Sequence, residues 1–216
     1  MKIKFLVDNF LKLIFRDYLY LSLLFILLVI KFTIDSALGL SNLQKTEIFI
    51  ILTFIIGLIS GLNFFRNDQL YNRYVKQKIN NYWLYISVQT VILLLMNILT
   101  AVLTFINTAD WVLIILFTTS GFVGTEIAMI LKLRFEKHPI IGQIGILILL
   151  YLSLSDSSSG TLYYVNWILP PISKMIVTLQ DGHSLQALLP IAGQQFVYGI
   201  ILFAISGVFY QKKFEK

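Results

Sequence analysis

The chain has 216 residues, of which 57% are hydrophobic and 13% are charged, and its mean hydropathy is +0.81. Water-soluble domains and disordered segments carry more charge and less apolar surface, so this composition predicts an integral membrane protein. The chain contains no cysteine, which excludes disulfides, thiolate metal sites and cysteine nucleophiles.

The first segment, residues 1–17 (MKIKFLVDNFLKLIFRD), has the pattern of a basic amphipathic helix. Lysine, aspartate and arginine side chains lie on one face. The other face carries the apolar residues Ile3, Leu6, Phe10, Leu13 and Ile14. We expect this helix to lie in the membrane interface with its apolar face among the acyl chains, either as a simple anchor or as a working element of the protein.

Six apolar runs follow, and each is interpreted as a span of the ~30 Å hydrocarbon layer. They cover residues Tyr18–Leu40, Glu47–Phe65, Tyr82–Ile106, Trp111–Leu131, Pro139–Leu154 and Leu188–Tyr210. The predicted fold is therefore an all-α integral membrane protein with six transmembrane helices, forming one domain over residues 1–216.

The cations indicate the orientation, because cytoplasmic loops are enriched in lysine and arginine. An even number of spans places both termini on one side. If that side is cytoplasmic, it receives 14 of the 17 lysines and arginines. Only Lys45 and Lys174 then lie outside, and Lys31 falls within the first span. The sequence therefore predicts cytoplasmic termini, and the basic pI near 9.4 reflects topology without any role in nucleic-acid binding.

Residues 156–187, which precede the last span, are apolar in patches but broken by Pro170-Pro171 and Asp181-Gly182. These breaks exclude a continuous helix of spanning length. We expect a re-entrant helical hairpin that dips into the outer leaflet.

Small residues spaced four apart predict close helix contacts: Gly57 with Gly61 in the second span, and Ser120 with Gly124 in the fourth. Ordinary helix packing is the simpler reading of both pairs. Several amides lie within apolar runs, and we expect most to form hydrogen bonds between helices: Asn63, Gln89, Asn97, Gln143, Gln194 and Gln195.

The usual patterns of membrane enzymes are missing from the sequence. It has no phosphate-binding loop, no H-E-x-x-H and no G-x-S-x-G. Its two histidines, His138 and His183, are predicted on opposite sides of the bilayer, so they do not form a paired metal site. We therefore expect no catalytic residues, no metal and no cofactor in this chain.

Three ionisable residues in the spans are candidates for a substrate path: Lys31, Asp35 and Glu126. Lys31 and Asp35 are four residues apart and share one helix face. Glu126 lies about a turn and a half from the cytoplasmic end of the fourth span. The alternative is a structural ion pair near the outer surface together with a glutamate that reaches the interface.

This layout resembles the membrane subunit of an ABC exporter of the ABC-2 type. The segment MKIKFLVDNFLKLIFRD resembles the interfacial elbow helix of that family. NFFRNDQLYNRYVKQKINNYWLYISVQTVILLL resembles its cytoplasmic coupling segment running into the third span. LYYVNWILPPISKMIVTLQDGHS resembles the outer re-entrant helices before the last span. In much of the family the coupling segment carries Glu-Arg and Gly-Thr-x-Glu followed by proline, whereas Arg66-Asn67-Asp68 and Asn80-Asn81 occupy those places here.

The resemblance implies a permease in the bacterial cell membrane that pairs with a second copy or a related permease. Separate ATPase subunits would bind the ATP and magnesium. Cargo in the family includes peptides, drugs, polysaccharides and haem-linked substrates, and a permease of this size is most similar to exporters of hydrophobic or amphipathic peptides.

The coupling segment, residues 66–81, is the predicted contact with the ATPase. At 100° per residue its helix is amphipathic, and an apolar face of this kind fits either the lipid interface or a groove on a soluble protein. A permease without a nucleotide-binding motif of its own needs the groove on a soluble protein, here the ATPase. The predicted docking residues are Leu70, Tyr71, Arg73, Tyr74 and Lys76.

Two other classes of protein compete with this interpretation. A secondary transporter would normally carry ionisable groups near the bilayer midplane on broken helices in repeated halves, and the sequence has neither feature. A sensor or immunity subunit that binds a peptide without moving it remains an alternative.

Overall fold

A computed structural model describes residues 2–16, 18–36, 39–71, 75, 81–105, 110–135, 139–154 and 169–214, and helix is the regular structure throughout these ranges. Within the described residues the longer α-helices follow one another in this order: α1 (Lys2–Arg16), α2 (Tyr18–Ser36), α3 (Asn42–Tyr71), α4 (Tyr82–Phe105), α5 (Trp111–Arg134), α6 (Pro139–Leu154), α7 (Ile172–Gln180) and α8 (Leu189–Phe214). A short 3-10 helix, Leu185–Leu188, precedes α8.

Five of these helices, α2, α3, α4, α5 and α8, are long and apolar enough to cross a membrane. The fifth predicted span, Pro139–Leu154, forms α6 as expected, but α6 has only 16 residues. At 1.5 Å per residue it is about 24 Å long, which is shorter than a ~30 Å hydrocarbon core. In the part of the chain that the structure describes, the protein is therefore all-helical and has five candidate membrane-spanning helices.

Helix α5 lies at the centre of the bundle and packs against α3, α8 and α4, in decreasing order of extent. Its backbone meets that of α3 directly: a Cβ atom on Gly57 would overlap the carbonyl oxygen of Gly121, and one on Gly124 would lie 2.5 Å from the carbonyl oxygen of Phe54. A Cβ atom on Gly61 would likewise lie against the backbone of Thr125. The predicted close contacts at Gly57, Gly61 and Gly124 are thus confirmed as packing within the chain.

Helix α1 closes one end of the bundle. Leu6 and Phe10 are fully buried, and the Phe10 ring lies 5.6 Å from that of Phe64 on α3 and 5.1 Å from that of Tyr85 on α4. The amphipathic helix is confirmed, but the expectation that these side chains lie among acyl chains is wrong. They pack on protein because the ends of α3 and α4 supply aromatic partners. We call this end of the bundle the α1 end.

Helix α2 lies at the edge, and half of its large apolar side chains are exposed. Its main polar attachment is Tyr20, whose hydroxyl is 2.8 Å from Thr100 Oγ1 and donates to the carbonyl oxygen of Met96 at 3.2 Å. This side chain therefore links α2 to α4 by hydrogen bonds.

The opposite end of the bundle, called the α7 end, contains the segment with the two proline residues. Helix α7 begins directly after Pro171 and ends at Gln180, and Gly182 has a φ of 76° in the turn that follows. Its buried face includes Ile172, Met175 and Leu179. Gln180 donates a hydrogen bond of 2.9 Å to Glu47 at the start of α3. The proline pair and Asp181-Gly182 thus bound a helix of 9 residues.

Candidate functional site

The most unusual side chain in the bundle is Glu126 on α5, which is fully buried. It lies where α5 meets two other helices. Its carboxylate contacts Thr90 of α4, and one turn earlier on the same side of α5 the ring of Phe122 packs on α8. A buried ionisable group in a membrane-spanning helix is costly, so its presence points to a functional site.

The hydrogen bonding of Glu126 is incomplete. Thr90 Oγ1 donates to its Oε1 at 3.1 Å, while Oε2 is buried and has no hydrogen-bond partner within the part of the chain that the structure describes. Nor does any lysine or arginine in the described ranges form an ion pair with it. A buried carboxylate without a cation is unfavourable, so the carboxyl group is equipped to accept a proton or a positively charged group.

Aromatic rings border Glu126 on the side toward the α7 end. The Phe122 ring occupies the space that a side chain at Gly199 of α8 would need, and its centroid is 5.7 Å from that of Phe196, also on α8. Glycine at position 199 therefore allows α8 to accommodate the ring. Phe122 lies one turn before Glu126 on α5, so this aromatic pair lies on the side of Glu126 toward the α7 end.

Asn97, two turns after Thr90 on α4, faces Gly121 of α5. Its Oδ1 would be 2.6 Å from a Cβ atom on Gly121, so a side chain at position 121 would require Asn97 to move. Its buried Nδ2 has no hydrogen-bond partner among the described residues. Asn97 lines a cavity of about 20 Å³ together with Ser60, Asn63 and Thr125. This is room for one water molecule, which the polar lining could bind.

A second set of buried polar contacts lies at the α7 end. Thr119 and Ser120 of α5 both donate to Gln195 Oε1 of α8, at 3.0 and 3.3 Å. Gln195 Nε2 in turn donates to Met175 Sδ of α7 at 3.3 Å. These contacts fulfil the prediction that Gln195 forms hydrogen bonds between helices. Gln194 is exposed and also forms a hydrogen bond between helices, because its Oε1 accepts from Lys174 of α7 at 3.3 Å.

The three residues predicted to line a substrate path do not come together. Lys31 and Asp35 form an ion pair on α2, with the Lys31 ammonium 5.6 Å from the ring centroid of Phe105 at the last turn of α4. Glu126 contacts Thr90, which is fifteen residues earlier on α4 and hence about 22 Å away along that helix. The ion pair and the buried glutamate are therefore separate features.

The predicted docking residues fall at the edge of the described chain. Helix α3 continues past its apolar part to include Leu70 and Tyr71 in its last turn, whereas Arg73, Tyr74 and Lys76 lie outside the described residues. Val75 is helical and buried in the cluster that contains Phe10 and Phe64. The role of these five residues stays a prediction.

Sequence reasoning singled out Glu126 but missed its surroundings: Thr90, Phe122 and Gly199. A threonine, a phenylalanine and a glycine are ordinary residues in apolar helices, so no spacing along the chain marks them. In the described residues, no group of three histidine, aspartate or glutamate side chains is placed to hold a metal ion.

Comparison with known protein families, with curated proteins and with solved structures finds no match to this chain.

Proposed function

We propose that this chain is the membrane-spanning permease subunit of an ATP-driven exporter of the ABC-2 type in a bacterial cell membrane. It would work with a second copy or a related permease and with separate ATPase subunits that bind ATP and magnesium. Its cargo would be a hydrophobic or amphipathic peptide. Drugs, polysaccharides and haem are alternative cargoes, and a membrane sensor or immunity subunit that transports nothing is the alternative function.

The observation that carries this proposal is the continuity of α3, an unbroken helix from Asn42 to Tyr71. Its first part packs backbone to backbone on α5 through Gly57, and its last turn begins the predicted coupling segment. A push on Leu70 or Tyr71 is therefore transmitted along a rigid helix to the central helix of the bundle. Coupling of ATP hydrolysis to transport needs such a connection, because energy has to pass between two distinct sites.

The packing of α1 supports the same role. Phe10 contacts both the end of α3 and the start of α4, the two helices that flank the coupling segment. In our proposal the α1 end is cytoplasmic, as the distribution of cations predicts. Helix α1 then braces the helices on which an ATPase would act.

The proposed topology includes two finer features. Helix α6 would also cross the membrane despite its 16 residues, which completes the six predicted spans, because a bilayer thins locally around a short apolar helix at modest cost. Helix α7 and the 3-10 helix would form the re-entrant hairpin on the outer side, since neither is long enough to cross the membrane.

The test is affinity purification of the tagged chain from its native membranes in mild detergent, followed by measurement of vanadate-sensitive ATP hydrolysis. We expect an ATPase with a phosphate-binding loop to co-purify with the wild-type chain. Replacing Leu70 and Tyr74 together by aspartate should abolish its recovery, because two charges would enter an apolar docking face.

The matched control replaces the exposed Gln186 and Ala187 by aspartate, which adds the same charge at the α7 end. This variant should retain the ATPase. Absence of any co-purifying ATPase from the wild-type preparation would refute the transporter assignment and favour the sensor or immunity subunit. Full recovery with the Leu70 and Tyr74 variant would refute the docking role of the segment.

A further inference from the structure

The three helices that meet near Glu126, α4, α5 and α8, line a cavity toward the α7 end. This cavity has a volume of about 550 Å³ and is lined by residues of α4, α5 and α8, among them Ile98, Thr118, Thr119 and Phe196. Pockets that bind drug-sized molecules have volumes of about 300 to 1,000 Å³ and mostly apolar walls with a few polar groups. The size and lining of this cavity fall in that class.

The cavity and Glu126 lie on the same helix faces. On α4, Thr90 contacts Glu126, and Leu94 and Ile98, one and two turns further along, line the cavity. On α5, Phe122 and Thr119 precede Glu126 by one and two turns. The cavity, the phenylalanines and the carboxyl group therefore follow one another along a single junction between three helices.

The chemistry of this junction changes along its length. Its wide part is mostly apolar, and Thr118 and Thr119 are the polar residues of its lining. Phe122 and Phe196 come next. Glu126 follows, with one carboxylate oxygen buried and unpartnered among the described residues. Aromatic faces attract cations, and a carboxylate in a low-dielectric interior does so more strongly.

We propose that this junction is a binding site for lipophilic cations: molecules with a large apolar body and one positive charge. The body fills the cavity, and the charge lies toward Phe122 and Phe196. Glu126 provides the counter-charge from about 10 Å, the rise of the seven residues between Thr119 and Glu126. At an effective dielectric constant of about 20, one unit charge at that distance changes affinity roughly tenfold.

An acyl chain would also fit the apolar part of the cavity, but it would leave the unpaired carboxyl group without a function. The charge complementarity favours a cation. This inference rests on the proposed function in one respect, because it calls the bound molecule a cargo. Cationic amphipathic peptides belong to the same chemical class as the lipophilic cations proposed here. Binding itself is a property of the isolated chain.

The test compares two probes of nearly equal size and opposite charge, tetraphenylphosphonium and tetraphenylborate, in equilibrium binding to the full-length chain in a non-ionic detergent. Empty micelles correct for partition into detergent. We expect saturable binding of tetraphenylphosphonium and none of tetraphenylborate. Equal binding of both probes, or saturable binding of neither, would overturn the proposal and leave an apolar groove for lipid.

Two variants locate the binding site. Glu126→Gln keeps an oxygen that can accept from Thr90 and should weaken tetraphenylphosphonium binding by about tenfold. Gly193→Phe should abolish binding, because Gly193 lines the cavity and has no atom within 4 Å of a Cβ placed there. Its matched control is Val197→Phe, one turn further along α8 at a side chain that is 57% exposed and does not line the cavity.

Unchanged binding in either Glu126→Gln or Gly193→Phe would contradict the proposed site. If Glu126→Gln does not yield folded protein, Gly193→Phe and the pair of oppositely charged probes still decide the outcome. No binding together with a co-purifying ATPase would reject this ligand class while leaving the exporter intact. Binding without any ATPase would retain the site and reject the exporter.

Discussion

Thr90 on α4 donates a hydrogen bond of 3.1 Å to Oε1 of Glu126 on α5. Thr90 is thus the hydrogen-bond donor that the structure describes for this buried carboxyl group. The second oxygen, Oε2, has no hydrogen-bond partner within the described ranges. The pair links α5, at the centre of the bundle, to α4. Phe122 lies one turn before Glu126 on α5, in the direction of the cavity.

Thr90→Val should destabilise the protein by about 1–3 kcal/mol, because it leaves a buried carboxyl oxygen without its donor. The measurement is thermal or denaturant-induced unfolding in detergent, followed by tryptophan fluorescence. Thr118→Val is the matched control: its hydroxyl is buried but forms no hydrogen bond with the described residues, so this change should be neutral or slightly stabilising. Equal losses in the two variants would show that the hydrogen bond to Glu126 contributes nothing specific.

Gly57→Ala should lower stability by about 1–3 kcal/mol, because the new methyl group would collide with the backbone of Gly121 and force α3 away from α5. Gly193→Ala serves as the control, since a Cβ there meets no atom within 4 Å. That change should be neutral or stabilise the helix by up to about 1 kcal/mol. The same unfolding assay measures both. A Gly57→Ala protein as stable as the wild type would contradict the close approach of the two helices.

Tyr20→Phe should loosen α2, because it removes the hydroxyl that contacts Thr100 and the carbonyl of Met96. We expect a loss of about 1 kcal/mol and faster amide hydrogen exchange in α2, measured by mass spectrometry. Tyr18→Phe removes the same atom from a residue that is 81% exposed and should leave exchange unchanged. If Tyr20→Phe also exchanges like the wild type, apolar packing alone holds α2 in place.

Cysteine labelling tests the orientation of the chain, and the absence of native cysteine removes background. A single cysteine at Gln186 should react with an impermeant maleimide added to intact cells, whereas one at Lys76 should react only after the cells are opened. The reason is the excess of lysine and arginine on the predicted cytoplasmic side. Reaction at Lys76 from outside would reverse the topology and exclude a cytoplasmic ATPase contact there.

The sequence by itself determined the class of protein and the positions of its helices. The predicted spans starting at Tyr18, Tyr82, Trp111 and Pro139 begin at the same residues as α2, α4, α5 and α6. Proline and glycine likewise marked the ends of α7. Such features are local: the length of an apolar run, its periodicity and its breaks decide where a helix can form, whatever surrounds it.

Only the tertiary structure decided which surfaces meet. The glycines of α3 and α5 indicated close packing, but the order of helices in the bundle placed Gly57 on Gly121. Burial of Leu6 and Phe10 against protein, and the pairing of Glu126 with Thr90, depended on the same arrangement. Each contact joins residues far apart in the chain. In a membrane a side chain can be satisfied by lipid, by interfacial water or by another helix, and a local pattern does not distinguish these partners.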